Sequence, residues 1–158
     1  MKHKFILSTI VLHVLLLGMI SVHQGLSNKD IPTKELVENY LNAEKATMVK
    51  GATKGDIDRL LTLCMDEVIY EHVRFAAQVT GKKRIEEGML LHLDDYEGSE
   101  QDTRFEVINI ILGYKIVVVE YRQLFKANDN GKIQDIDRRK LTILEFDGSK
   151  ICRIADYE

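Results

Sequence analysis

Histidine titrates near neutrality and can take or give a proton. The run Met65-Asp66-Glu67-Val68-Ile69-Tyr70-Glu71-His72-Val73-Arg74 carries one at His72. The run reads as a strand over residues 67–74. Alternation puts Val68, Tyr70 and His72 on one face and Ile69, Glu71 and Val73 on the other. If the first face lines a pocket, Tyr70 is the neighbour of His72, and the two supply an acid/base group and a hydroxyl. The competing reading is a histidine hydrogen-bonded in a wall, without chemistry. Tyr40 offers its hydroxyl either to the pocket or to a partner in the core. Glu120 shares a face of a later strand with Arg122, and Tyr121 shares the opposite face with Val119. The sequence does not choose the inward face, so Glu120 and Tyr121 are both candidate ligand contacts. Arg138, Lys140 and Thr142 alternate along the next strand. They would meet an anionic ligand if turned inward, although a solvated outer face is the commoner fate of such a run.

Other chemistries lack their residues. After residue 27 the histidines are His72 and His92, which are not at metal-ligand spacing, so no metal site is expected. There is no glycine-rich phosphate loop and no Gly-x-Ser-x-Gly turn, and no cofactor is expected. The acidic stretch 94–102 lacks the spacing of a calcium loop and reads as a solvated loop.

The elements that must position these groups follow from periodicity. Thr33 can cap a helix in which Leu36, Val37, Tyr40, Leu41, Ala43, Ala46, Met48 and Ala52 recur at helical spacing, about five turns. Gly51 and Gly55 loosen its end, and Asp56 is expected to cap a short second helix with Ile57, Leu60, Leu61 and Cys64 on one face. Residues 75–80 extend the first strand as a short pairing partner. Gly81 and Lys82 open a third helix with Ile85, Met89, Leu90 and Leu93 as its buried stripe. Beyond Asp102, residues 103–112, 114–126, 133–146 and 150–157 are rich in β-formers. Gly113, Asn128-Asp129-Asn130-Gly131 and Asp147-Gly148-Ser149 separate them as hairpin signals, so antiparallel strands are expected. Helices first and strands last give an α+β layered domain.

Lys2, His3 and Lys4 precede an apolar run from Phe5 to Val22, and small residues follow at Gly25 and Ser27. This is the pattern of a secretory signal, residues 1–27, cleaved after Ser27. The alternative is an uncleaved membrane anchor. Residues 28–33 are a linker and 34–158 the domain. The expected localisation is exported, periplasmic or extracellular. Of the 22 Lys+Arg, cleavage removes two, leaving 20 against 25 Asp+Glu, a charge of −5. Nucleic acid is excluded as a partner, because phosphate neutralisation needs a basic surface. Cys64 and Cys152 read as two separately buried thiols, with a disulfide as the alternative.

The order helix, helix, strand, helix, then a four-strand meander resembles the nuclear transport factor 2-like superfamily. Within it the chain looks like the SnoaL-like polyketide cyclase and ketosteroid isomerase branch. The carrying residues are Lys54-Gly55-Asp56-Ile57-Asp58-Arg59-Leu60-Leu61, the run Met65–His72, Thr80-Gly81-Lys82-Lys83-Arg84-Ile85 and the closing hairpin Phe146–Ile154. The resemblance implies a cone-shaped fold with three helices packed on a strongly curved antiparallel sheet, a conical cavity, and a homodimer formed through the sheet. It places His72 where the isomerases carry their general base. Met48 and Thr142 stand where their oxyanion partners would be, so neither partner is reproduced. Three functions stay open: binding of a small apolar molecule, a cofactor-free isomerase or cyclase using His72 as acid/base with Tyr40 or Tyr70 as donor, and a non-catalytic interaction module. An inward His72 with a polar group in hydrogen-bond reach discriminates for the enzyme.

Overall fold

The computed structural model describes residues 32–157. The signal or anchor segment, and all but the last two residues of the linker, lie outside the described residues. Helix α1 spans Lys34–Ala46 and starts where Thr33 Oγ1 accepts the Leu36 N–H at 3.3 Å. Val37, Tyr40, Leu41 and Glu44 form its buried stripe. The helix is shorter than the expected five turns. It stops at Thr47, whose hydroxyl and N–H both donate to the Glu44 carbonyl. Helix α2, Lys54–Leu61, is capped by Thr53 rather than Asp56. Asp56 sits three residues further on, where its carboxylate accepts the Thr53 N–H at 2.8 Å.

Strand β1 is Cys64–His72, and Val73–Phe75 turn away as a short 3₁₀ segment into β2, Ala77–Thr80. The strand is therefore shifted N-terminally from the expected 67–74. Helix α3, Lys82–Leu90, buries Ile85 and partly covers Met89, but Leu90 is exposed, contrary to the expected stripe. Four long strands follow: β3 Arg104–Gly113, β4 Ile116–Asp129, β5 Lys132–Asp147 and β6 Lys150–Tyr157. Asn130 and Gly131 both take positive φ, 53° and 86°, in the tight β4–β5 hairpin.

The sheet order is β2-β1-β6-β5-β4-β3, an open six-stranded sheet. All neighbours are antiparallel except β1 and β6, which pair in parallel. The expectation of a wholly antiparallel sheet is corrected there. Hairpin turns dictate the direction of sequence neighbours, but β1 and β6 are joined through the rest of the domain and no turn constrains them. The core lies between the three helices and one sheet face. Val117, Val119, Tyr121, Leu144, Phe146, Ile151 and Ile154 meet Val37, Tyr40, Leu41, Ile57, Leu60 and Leu61 there. Cys64 and Cys152 are free thiols. Cys64 is in the core, and Cys152 falls at the irregularity between the Glu145–Arg153 and Phe146–Ile151 pairs. Burial pushes the Cys64 thiol up to about 11, so it is inert near neutrality.

Candidate functional site

Alternation along β4 decides the face the sequence left open. Val117, Val119, Tyr121 and Gln123 are fully buried toward the helices. Register then carries the inward face across the sheet. Tyr121 pairs with Lys140, Val119 with Thr142, and Thr142 with Asp156. Tyr70 and His72 come from β1, and Glu44 comes down from α1. Where these groups meet, the helices and the sheet leave a cavity of about 330 Å³. At about 30 Å³ per water, that is roughly ten waters' worth of space.

One wall of the cavity is polar and closely bonded. The Lys140 ammonium lies 2.9 Å from Glu44 Oε1 and 2.8 Å from Asp156 Oδ2. Asp156 Oδ1 accepts the Thr142 hydroxyl at 2.7 Å, and Oδ2 accepts the Tyr70 hydroxyl at 2.8 Å. Tyr121 donates to Glu44 Oε2 at 3.1 Å and lies 3.2 Å from the Thr142 hydroxyl. His72 Nε2 is 3.2 Å from the Tyr70 hydroxyl, with the two rings edge to face at 4.9 Å. The remaining lining is mainly apolar, including Leu60, Leu61, Ile85, Met89 and Ile154. Arg84 and His92 also border the cavity and are exposed, and His92 is bonded to Asp95 at 2.8 Å.

The electrostatics follow from this bonding. Burial is the largest influence on Lys140 and would by itself lower its pKa. The surrounding Glu44 and Asp156 outweigh it and hold the ammonium well above the usual lysine range. Burial raises Tyr40, Tyr70 and Tyr121 well above the usual phenol range, reinforced by Glu44 at Tyr40 and Tyr121 and by Asp156 at Tyr70. All three phenols stay protonated near neutrality and can act as donors. Tyr40 is 2 % exposed, borders the cavity, and makes no hydrogen bond to another described residue. Its hydroxyl is therefore a donor available to a ligand.

The structure brings His72, Tyr70 and Tyr40 to the cavity. Tyr121 stands behind it, in the bonded cluster. Glu120 is on the opposite face, its Oε1 2.6 Å from Arg139 Nε, so it is not a cavity group and the expectation for it is corrected. Met48 borders the cavity, whereas Thr142 is buried in the cluster. Sequence reasoning missed Glu44 and Asp156. Glu44 had a signal, because it follows Tyr40 by four residues and Leu41 by three, on the apolar stripe of α1. Asp156 follows the apolar pair Ile154-Ala155, a fainter one. Among the described residues no cluster of His, Cys, Asp and Glu is placed to hold a metal ion.

No protein-family model matches the chain, and no curated protein does. Solved structures do. A SnoaL-like protein from Shewanella putrefaciens CN-32 is 16 % identical with a TM-score of 0.63, covering 79 % of this chain and 80 % of its own. A protein with a ketosteroid isomerase-like fold from Catenulispora acidiphila, solved with trimethylamine, is 17 % identical with a TM-score of 0.59, covering 80 % and 86 %. An LEH-like epoxide hydrolase of M. tuberculosis is 18 % identical with a TM-score of 0.58, covering 78 % and 79 %. At these identities the likeness is one of fold. The fold is that of the nuclear transport factor 2-like proteins, and its neighbours include SnoaL-like and ketosteroid isomerase-like members, as the sequence resemblance implied.

Proposed function

We propose that the chain is a cofactor-free acid/base enzyme of the isomerase or cyclase kind, acting on a small, largely apolar carbonyl compound held in its cavity. The observation that carries this is the inward His72, 3.2 Å from the Tyr70 hydroxyl, in a cavity that is otherwise mainly apolar. The apolar body of the substrate lies against Leu60, Leu61, Ile85 and Met89. Its carbonyl oxygen accepts the Tyr40 hydroxyl. His72 removes a proton from the adjacent carbon: the C–H bond breaks, an N–H bond forms, and the electron pair moves to the carbonyl oxygen. A donor already aimed at that oxygen stabilises the enolate without reorganisation. Returning the proton to another carbon isomerises the substrate, and attack of the carbanion on a second carbonyl closes a ring.

Retention of a small apolar molecule without turnover is the second reading. It is favoured by the closed bonding of Glu44, Lys140 and Asp156, which leaves much of the polar wall spent on itself. Under either reading the sheet bends around the helices to form a cone, the apolar segment before residue 28 directs export, and the protein is a homodimer. The dimer would use the outer sheet face, where Ile111, Val118 and Ile143 fall in one row across β3, β4 and β5. A non-catalytic interaction module would use the same face.

The test is native mass spectrometry of protein purified from its own host, then denaturing release of what it carries. The expected result is a carbonyl compound of on the order of ten heavy atoms, the size the cavity admits. A retained compound without a carbonyl would contradict the enzymatic reading and leave retention alone.

A further inference from the structure

We infer that Asp156, acting through Tyr70, fixes the tautomer of His72 and makes Nδ1 the basic nitrogen of the cavity. This rests on His72 as the acid/base group and goes further, by naming the atom that takes the proton and two residues that position it.

The Tyr70 oxygen stands between two neighbours, Asp156 Oδ2 at 2.8 Å and His72 Nε2 at 3.2 Å. A phenol has one proton to give. A carboxylate is the stronger acceptor, and Asp156 here receives the Thr142 hydroxyl and the Lys140 ammonium as well as Tyr70. The phenol proton therefore goes to Asp156, and the phenol oxygen faces Nε2 with a lone pair. Two lone pairs do not bond, so Nε2 must bring its own proton. A neutral imidazole carries only one N–H, which leaves Nδ1 bare.

The surroundings do not compete for this arrangement. The other ring against His72 is Phe75, at 6.1 Å, which offers no acceptor oxygen. Elsewhere along the cavity wall stand Arg84 and His92 from the α3 side, Arg138 and Lys140 from β5, and Glu44 from α1. Glu44 is already bonded to Lys140 and Tyr121. When Nδ1 takes a proton, the imidazolium strengthens its Nε2–H bond to the Tyr70 oxygen. Asp156 supports the new charge through that phenol without receiving a proton itself. Burial and the negative neighbours keep the phenol proton in place throughout. Tyr70 and Asp156 are thus positioning residues, while His72 is the group that meets substrate.

The test is ¹⁵N NMR of the full chain with labelled histidine, with His72→Asn to assign the resonances. At a pH where His72 is neutral, its long-range ¹H–¹⁵N pattern is expected to show a protonated Nε2 and a bare Nδ1. In Tyr70→Phe the phenol oxygen is gone, and the pattern is expected to move to a mixture of both tautomers. A protonated Nδ1 in the native chain overturns the inference, and so does a Tyr70→Phe spectrum with an unchanged pattern. The native spectrum decides even if the variant fails to fold. The readout needs no substrate, so it stands apart from turnover: a bare Nδ1 in a chain that never turns over a carbonyl compound would sink the enzymatic reading and leave this one intact.

Discussion

Both faces of the sheet carry ion pairs, and the two sets differ in kind. On the outer face Arg139 meets Glu120 with side chains 69 % and 24 % exposed, and Arg122 meets Asp137 in similar openness. On the inner face Lys140 meets Glu44 and Asp156 with side chains 3 %, 11 % and 0 % exposed. Arg139 and Lys140 are adjacent in sequence, and the alternation of one strand separates a solvated pair from a buried triad. Exposed pairs are screened by water and gain little. Buried ones are held by each other and by the surrounding hydroxyls, and fail together when a member is removed. A polar network of this kind is a natural foundation for chemistry, because it fixes Tyr70 and, through it, His72.

Removing the shared cation should produce the largest effect. Lys140→Met leaves Glu44 and Asp156 buried with no positive partner, and is expected to cost about 3–5 kcal/mol in urea unfolding. A loss below about 1 kcal/mol would mean that the triad is no tighter than a surface pair.

Alkaline pH should sharpen the contrast next. Lysine and tyrosine in the unfolded chain lose their protons near about pH 10. In the folded chain Lys140, Tyr70 and Tyr121 hold theirs to higher pH. Above pH ~10 the unfolded state binds fewer protons than the folded one, so stability falls as pH rises. The contribution is whole below about pH 10 and is lost as pH climbs through the raised folded values. The urea midpoint is expected to fall steeply over that window in the native chain and less steeply in Lys140→Met. Equal slopes would place the cause outside the triad.

The smallest effect belongs to the outer face. Arg139→Ala is expected to change stability by about 0–1 kcal/mol, and less in high salt. A loss matching that of Lys140→Met would erase the distinction between the faces.

Much of the fold was legible because its signals are local. Asn130-Gly131 marked a hairpin, and the richness of residues 114–126 and 133–146 in β-formers marked its strands. The face-sharing of Tyr70 with His72, and of Arg138 with Lys140 and Thr142, also followed from alternation alone. Which face turned inward did not, since that depends on what packs against the strand. For the same reason Lys140 stood between an inward place and a solvated one, and Glu120 was a candidate contact. The β1–β6 pairing was hidden because no turn links the two strands. Asp156 and Glu44 acquire their role only when β6 and α1 are brought against β5, a long-range event with no short-range trace beyond a charge in an apolar repeat.

The most direct test of the central claim is deuterium uptake in D₂O at the carbon beside the carbonyl. The substrate is the compound the protein retains, or cyclohex-3-enone if it retains none. The native chain is expected to exchange this position, and His72→Ala to do so roughly 10²–10⁴-fold more slowly, the usual worth of a positioned acid/base group. Equal uptake by the two, with the His72→Ala fold intact, would contradict the assignment of His72 as the proton-transferring group.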